Sequence, residues 1–344
     1  MSRPFYSIII PSYNRQDEIE ALLQSFQRLD FPVDRYELII ADDGSTDGTR
    51  QSVALIEDTG VLPLIYLSQK NRGPGAARNL GMEHARGDVF IFIDSDCTVI
   101  PTWLREIDKA LQADPSIDAF GGPDGCRDNF PPLLKAINYS MTSFITTGGI
   151  RGHKKKKLGK FYPRSFNMGL RRDVYEQIGG FGELRHGQDI EYSNRIIRSG
   201  AKVARIENAL VYHKRRTSVK KFFRQVFNWG VARINLYKID SVMLEPVHFF
   251  PAIALWLTLL VIGMTLFIPG FRPVGYLCVG FGLATLIGMA IHAAIINKNI
   301  RTGLYMLIIS PIQIYGYGIG FSIALMRRVV LKQGTFTGFT KKYY

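Results

Sequence analysis

Cysteine is scarce in this chain of 344 residues, with only Cys97, Cys126 and Cys278. Their spacings make neither a set of staples nor a zinc pattern, which excludes a disulfide framework and points to a reducing compartment. The amino terminus, from Met1 to Ile10, lacks the long apolar core of a signal peptide, so the water-soluble part is expected to stay in the cytoplasm. Acidic residues are outnumbered, 29 against 43 Lys and Arg, and the net charge is +14. Charge of either sign is missing from three long stretches, 247–268, 273–296 and 303–326. Each exceeds the roughly 20 residues that cross a bilayer, and three in succession argue against an ordinary soluble protein.

The positive charge that is present is clustered. One run is Lys154 to Lys157; a second holds Lys214, Arg215, Arg216, Lys220, Lys221 and Arg224. Basic clusters suit nucleic acid or an anionic membrane. The second leads directly into the uncharged stretches, and no aromatic-basic reading module accompanies either, so a membrane is expected and nucleic acid is not.

The first half alternates short β-branched strands with helical patterns, the signature of an α/β fold with an open, mostly parallel sheet. Strands are expected at Tyr6 to Ile10, Leu38 to Ala41, Leu64 to Leu67 and Val89 to Ile93. Ile19, Leu22, Leu23, Phe26 and Leu29 recur at helical spacing after the first strand. Ligands of such sheets lie beyond the carboxyl ends of the strands. Pro11 to Asn14, Asp42 to Asp47 and Asp94 to Asp96 all fall there. Asp94-Ser95-Asp96 offers two carboxylates one residue apart, suited to a hard divalent cation that itself grips a diphosphate. Residues 121 to 163 read as irregular structure with a basic loop. Asp189 stands in the first turn of a helix ending near Ser199, where the dipole favours an anion. Val219 to Tyr237 alternates Phe, Val and Trp with Lys, Arg and Gln, as an amphipathic helix lying in a membrane interface does.

The order of Pro11-Ser-Tyr-Asn-Arg, Asp42-Asp43-Gly-Ser-Thr-Asp47, Asn71-Arg-Gly-Pro-Gly-Ala-Ala-Arg78-Asn79, Asp94-Ser-Asp96, Asn167-Met-Gly-Leu-Arg-Arg and Gln188-Asp189 resembles the family-2 glycosyltransferases of the GT-A fold. The resemblance covers about residues 5 to 216. It implies an inverting, metal-dependent transfer of a sugar from a nucleotide donor, most simply a UDP- or GDP-sugar. Asp43, with Pro11 and Tyr13, would hold the base of the donor, and Asp42 and Asp47 look like turn and cap residues. Arg78 would meet the diphosphate, Asp94 the ribose or sugar, and Asp96 would ligate Mg²⁺ or Mn²⁺, with His213 completing that site. Asp189 would be the general base. The family commonly carries Glu-Asp at this point, whereas this chain has Gln188-Asp189, which bears on how the acceptor is held. Glu191, two positions on, should face elsewhere.

The implied organisation is a GT-A domain over 1–216, an interfacial amphipathic helix over 217–240, a transmembrane region over 247–328 and a basic tail over 329–344. The enzyme would be a multi-pass protein of the cytoplasmic membrane, with its catalytic domain cytoplasmic. It would move one sugar to a lipid or polyprenyl-phosphate-linked acceptor. Two rivals remain. A small processive polysaccharide synthase of this family would carry Gln-x-x-Arg-Trp, but here the string is Gln225-Val-Phe-Asn228-Trp229. A non-catalytic nucleotide-binding scaffold would have no need of Asp189. Topology is ambiguous: three crossings place Arg327, Arg328, Lys332, Lys341 and Lys342 opposite the catalytic domain, against the positive-inside tendency. Pro311, mid-way along the last stretch, leaves open whether that stretch re-enters or the tail is an exception.

Overall fold

A computed structural model describes residues 3–125, 130–143, 146, 161–214 and 218–339. These fall into two compact units, one built from 3–125 and 162–214, the other from 130–143 and 218–339.

The first unit is a seven-stranded sheet with helices around it. Its strands are β1 (Tyr6–Ser12), β2 (Tyr36–Asp42), β3 (Leu64–Ser68), β4 (Val89–Phe92), β6 (Ala119–Gly121), β8 (Met168–Arg171) and β9 (Val203–Arg205), in the order β3-β2-β1-β4-β8-β6-β9. The β-branched runs of β1 and β2 are buried along their whole length, as in a parallel sheet covered on both faces. Helices α1 (Gln16–Phe26), α2 (Thr49–Glu57), α3 (Pro74–His84) and α4 (Trp103–Ala113) fill the first part, and α6 (Arg172–Ile178) and α7 (Gln188–Arg198) the later part. Ile19, Leu22, Leu23 and Phe26 all face the core, as their spacing predicts.

Register decides what the sheet can present at one edge. Ile8 of β1 lies opposite Leu38 of β2 and Ile91 of β4, all parallel. β8 runs antiparallel to β4, with Met168 opposite Phe92, and Gly121 of β6 also lies opposite Met168. The carboxyl ends of β1, β2, β4 and β6 and the amino end of β8 therefore share one edge. A second sheet joins β5 (Cys97–Val99), β7 (Asp124–Gly125) and β10 (Val211–His213), with β10 in the middle. These strands of two or three residues are too short to show alternation, and the sequence gives no sign of them.

The second unit is helical: α5 (Pro132–Thr142), α8 (Val219–Ile239), α9 (Phe250–Phe267), α10 (Arg272–Ile296) and α11 (Ile300–Leu325). The expectation of irregular structure over 121–163 is corrected at α5. Pro132 begins that helix, the first-turn position proline tolerates. The Gly- and Thr-rich residues that obscure it come later; the Lys154 to Lys157 run lies outside the described residues. Ala136, Ile137 and Met141 of α5 pack with Phe222 and Val226 of α8, Met289, Ala290 and Ala293 of α10, and Met306 and Ile309 of α11. Three helices are long and apolar enough to cross a membrane, over Pro246–Phe267, Pro269–Ile296 and Ile300–Val330. Pro311 lies inside α11, which is one helix of 26 residues.

Candidate functional site

Two turns at the carboxyl edge are tied together by Asn14. Its backbone is left-handed (φ 50°), a conformation asparagine adopts more readily than most residues. Its side-chain oxygen accepts from the Thr46 amide (2.7 Å) and the Asp47 amide (3.3 Å), while its own amide donates to Ser45 Oγ (2.8 Å). The turn after β1, with Pro11 buried and Tyr13 half-buried, is thus locked to the turn after β2. β4 pairs with β1 only as far as Ile9, so Pro11, which has no N–H to give, lies beyond that ladder.

Asp42 and Asp47 act as turn and cap residues. Asp42 accepts from the Ser45 amide (2.8 Å) and hydroxyl. Asp47 accepts from the amide and hydroxyl of Thr49. Burial alone raises the Asp47 carboxyl, but these bonds and one from the Gln16 amide outweigh it and hold the group below its ordinary range. Burial and the neighbouring Asp42 charge push the Tyr66 phenol up to about 12.

Asp43 is fully buried. Its Oδ1 accepts from Gln69 Nε2 (2.6 Å) and the Arg72 amide (2.9 Å), and its Oδ2 from the Gly73 amide (2.7 Å). The carboxylate therefore pins the loop that leads into α3. Arg78, on α3, is 5% exposed rather than at the surface. Its Nη2 donates to Asp94 Oδ1 (2.6 Å) and Ser165 Oγ (3.1 Å), and its guanidinium lies 5.3 Å from the centre of the Phe181 ring. Arg78 is thus paired with Asp94.

Asp96 lies just beyond Asp94, before β5. His213 Nε2 stands 3.1 Å from Asp96 Oδ1, and His213 Nδ1 is 3.9 Å from Asp124 Oδ2. His213 is directly opposite Cys97 in the β5–β10 ladder, so both side chains project from one face. Donor atoms of Asp96, Cys97 and His213 all lie within 4.8 Å of one another. A carboxylate and an imidazole this close fit a divalent cation that keeps other positions for phosphate oxygens and water. Asp124 lies toward the far ring nitrogen at ion-pair distance, 3.9 Å, longer than a hydrogen bond.

Asp189 stands at the start of α7, after Gly187, whose left-handed backbone (φ 82°) turns the chain into the helix. Its Oδ2 accepts from Arg164 Nη1 (3.2 Å) and its Oδ1 from the Ile190 amide (3.0 Å). Arg164 adjoins Ser165, which is bonded to Arg78, so Asp189 and Asp94 are linked through two consecutive residues. Gln188 is buried, donates to the Gly182 carbonyl (3.1 Å) and packs on Gly75 at the start of α3. Glu191 pairs with Arg195 (2.6 Å), away from Asp189's partners, as its helical position predicts.

The structure thus joins Asp94 to Arg78, Asp96 to His213, and Asp189 to the first pair through residues 164–165. Pro11, Tyr13 and Asp43 belong to the neighbouring turns. Asn14, Asp124, Arg164 and Ser165 were not singled out from the sequence. Asn14 carried a signal, since it falls in a strand-end motif; Asp124 lies in the stretch read as irregular, and Arg164 and Ser165 fall between that stretch and the motif that opens at Asn167.

The profile of the family described as Glycosyl transferase family 2 matches residues 7–179, half of the chain. The chain belongs to glycosyl transferase family 2. It is a glycosyltransferase of GT-A type, with a mostly parallel sheet. Glycosyltransferase AglE of Haloferax volcanii is 27% identical over 255 residues, 74% of this chain and 80% of that protein. A Methanococcus voltae family member, the dolichyl N-acetyl-alpha-D-glucosaminyl phosphate 3-beta-D-2,3-diacetamido-2,3-dideoxy-beta-D-glucuronosyltransferase, is 26% identical over 239 residues, 67% of this chain and 73% of that protein. Among solved structures, the mannosyltransferase PcManGT from Pyrobaculum calidifontis, in complex with GDP-Man and Mn²⁺, superposes with a TM-score of 0.65. It is 19% identical and covers 90% of this chain and 86% of its own, a likeness of fold.

Proposed function

We propose that this chain is a membrane-anchored, metal-dependent, inverting glycosyltransferase. It moves one sugar from a UDP- or GDP-sugar to a lipid or polyprenyl-phosphate-linked acceptor at the cytoplasmic face of the membrane. The observation that carries this reading is the meeting of Asp94, Arg78, Asp96, His213 and Asp189 at one edge of the sheet. The lipid-linked acceptor is supported by the apolar helices and by the dolichyl phosphate in the name of the Methanococcus relative.

Asp96 and His213 would hold Mg²⁺ or Mn²⁺. Such an ion, when bound, neutralises the charge that develops on the departing diphosphate. Asp94 receives the ribose or donor sugar, and Arg78, paired with that carboxylate, meets the diphosphate. Pro11, Tyr13 and the loop pinned by Asp43 form the seat of the base. Asp189 takes the proton from the acceptor hydroxyl as that oxygen attacks the anomeric carbon opposite the nucleotide, so configuration inverts. Arg164 orients the Asp189 carboxylate through Oδ2. Transfer of a single sugar is favoured by Asn228: where a processive enzyme carries arginine, its Oδ1 accepts from the Phe339 amide (3.1 Å).

The test is nucleotide release by the detergent-purified full chain from UDP-, GDP- and dTDP-sugars with Mn²⁺, with and without a membrane lipid extract. Lipid-stimulated release from one donor, lost in Asp189→Asn, is the expected result. Donor binding with no release under any condition would overturn the catalytic reading in favour of a binding scaffold.

A further inference from the structure

The three apolar helices do not pack side by side along their whole lengths, so they do not all run along the membrane normal: α9 buries only Ala252, and α10 only Gly275, Met289, Ala290 and Ala293, while the hydroxyls of Thr258 and Tyr315, 3.1 Å apart, extend the α9–α11 contact a little beyond its corner. The first turn of α9 meets the later half of α11: a Cβ at Gly318 would lie 2.5 Å from the Pro251 carbonyl oxygen and 3.2 Å from Ala252 Cα. Trp256 Nε1 donates to Ser322 Oγ (3.1 Å), at the same corner. The end of α9 meets the start of α10, where a Cβ at Gly275 would lie 2.8 Å from Thr265 Cβ. The end of α10 meets the start of α11, where a Cβ at Gly303 would lie 2.6 Å from the Ala290 carbonyl and 2.8 Å from Ala294 Cβ.

At a rise of 1.5 Å per residue, Ala252 to Thr265 spans about 20 Å, Gly275 to Ala290 about 22 Å, and Gly303 to Gly318 about 22 Å. The three sides are nearly equal, so the helices enclose a triangle with corners near 60°. In any such triangle, setting one side upright leaves the opposite corner half-way through the bilayer.

Charge decides which side lies flat. With α11 upright, the corner carrying Arg272 falls in mid-bilayer, and α8 is carried in with α11. α8 lies along α11: Gly230 packs on the backbone of Tyr317 and Phe321, Gly320 on that of Phe227, and Gly316 beside Val226. Lys220, Lys221, Arg224 and Lys238 of α8 are exposed. With α9 upright, Lys298 and Arg301 are buried in hydrocarbon instead. With α10 upright, the α8–α11 crossing is. A charge at that depth costs about 3 kcal/mol or more.

We infer that α11 lies in the membrane interface beside α8, and that only α9 and α10 cross, as a hairpin. Burial agrees: 44% of the most apolar window of α11 is covered within the protein, against 6% for α9 and 17% for α10. The triangle stands about 18 Å high between contacts, and the helix beyond Thr265, which ends at Phe267, adds about 3 Å. Arg272 then reaches the far headgroups of a hydrocarbon core about 30 Å thick by extending its side chain outward where the bilayer thins around the short hairpin. The near face gathers Lys220, Lys221, Arg224, Lys238, Lys298, Arg301, Arg327, Arg328 and Lys332. The chain after α11 returns to α8, where Asn235 Nδ2 donates to the Phe336 carbonyl (2.8 Å). The carboxyl-terminal segment therefore emerges on the face where the chain enters, and the basic residues obey the positive-inside tendency.

The test is labelling of the full chain in sealed vesicles of known orientation with a membrane-impermeant maleimide, using Gly270→Cys, Ile300→Cys and Gly334→Cys, with the unsubstituted protein as background. Positions 300 and 334 are expected to react from one face and position 270 from the other. Trypsin cleavage after Lys298 and Lys332 of the unsubstituted chain, expected from the same face, gives a readout free of substitution. Positions 300 and 334 reacting from opposite faces would overturn the interfacial α11. Position 270 reacting from their face, or from neither, would overturn the crossing hairpin. Neither result depends on sugar transfer, so this inference and the catalytic reading fail separately.

Discussion

Gly75 opens α3 at the point where a methyl group would meet the Gln188 amide nitrogen, 2.6 Å away. Gly75→Ala is therefore expected to cost about 1–3 kcal/mol by overpacking. Adding Gln188→Ala should return most of it, because the two sites are in contact and couple. Thermal unfolding of the two single variants and the double variant in detergent checks this; additive losses would contradict it. A second contact of Gln188 needs the amide that a Glu would lack. Its amide donates to the Gly182 carbonyl, which a carboxylate could only repel. Arg78 gives a second prediction at this scale. Arg78→Met leaves Asp94 without its cation in a site where Arg78 is 5% exposed. The expected loss is about 3 kcal/mol, at the low end for a broken buried pair because Asp94 retains some solvent. Unfolding measurements that show no loss would place the pair among surface contacts.

At the scale of elements, β1 and α4 are joined by a polar cluster set in the core. Asp108 accepts from the Tyr6 hydroxyl (2.7 Å), from both terminal nitrogens of Arg35 and from Gln112. Burial alone raises the Asp108 carboxyl, but bonds from Arg35, Tyr6 and Gln112 outweigh it and hold it below its ordinary range. Its folded pKa is thus depressed, and the stability it contributes is present above the unfolded value of about 3.9 and lost as pH falls through the folded one. Asp108→Asn should lower the unfolding temperature at neutral pH and flatten its fall in acid. An unchanged acid limb would remove Asp108 from the account. Gly320→Val should likewise separate α8 from α11, costing about 1–3 kcal/mol on the same scale of overpacking.

Legibility also divides by element. The four parallel strands and the apolar helices were plain in the sequence, because Ile8 to Ile10, Leu38 to Ile40 and the uncharged stretches bury or expose apolar surface in unbroken runs. The turn and cap roles of Asp42 and Asp47 were also readable, since Ser45 and Thr49, their turn partners, lie within three residues of them. β5, β7 and β10 were not, since a strand of two or three residues is defined by its neighbours. For the same reason the sequence named Asp96 and His213 but not Asp124, whose place depends on β7 pairing with β10. The burial of Arg78 was equally hidden: it follows from Ser165 and Phe181, residues about 90 to 100 positions away.

For the whole molecule, α5 matters most. Residues 1–214 alone would still contain it, while α8, α10 and α11, which cover Ala136, Ile137 and Met141, would be missing. That fragment is expected to aggregate, by light scattering after size exclusion, whereas the full-length Asp189→Asn protein in detergent stays monodisperse. A monodisperse fragment would mean that α5 finds other cover.

The antiparallel strand β8, placed between β4 and β6, also sets a timetable for synthesis. β4 has its parallel partner β1 as soon as both have left the ribosome, but its other edge stays open until Arg171 follows. At about 5–20 residues per second, that wait lasts roughly 4 to 16 s. During it, an edge of Val89, Phe90, Ile91 and Phe92 is available to any passing strand. Slowing elongation between Phe92 and Arg171 with rare codons should therefore lower the yield of folded enzyme, while the same slowing after His213 should not.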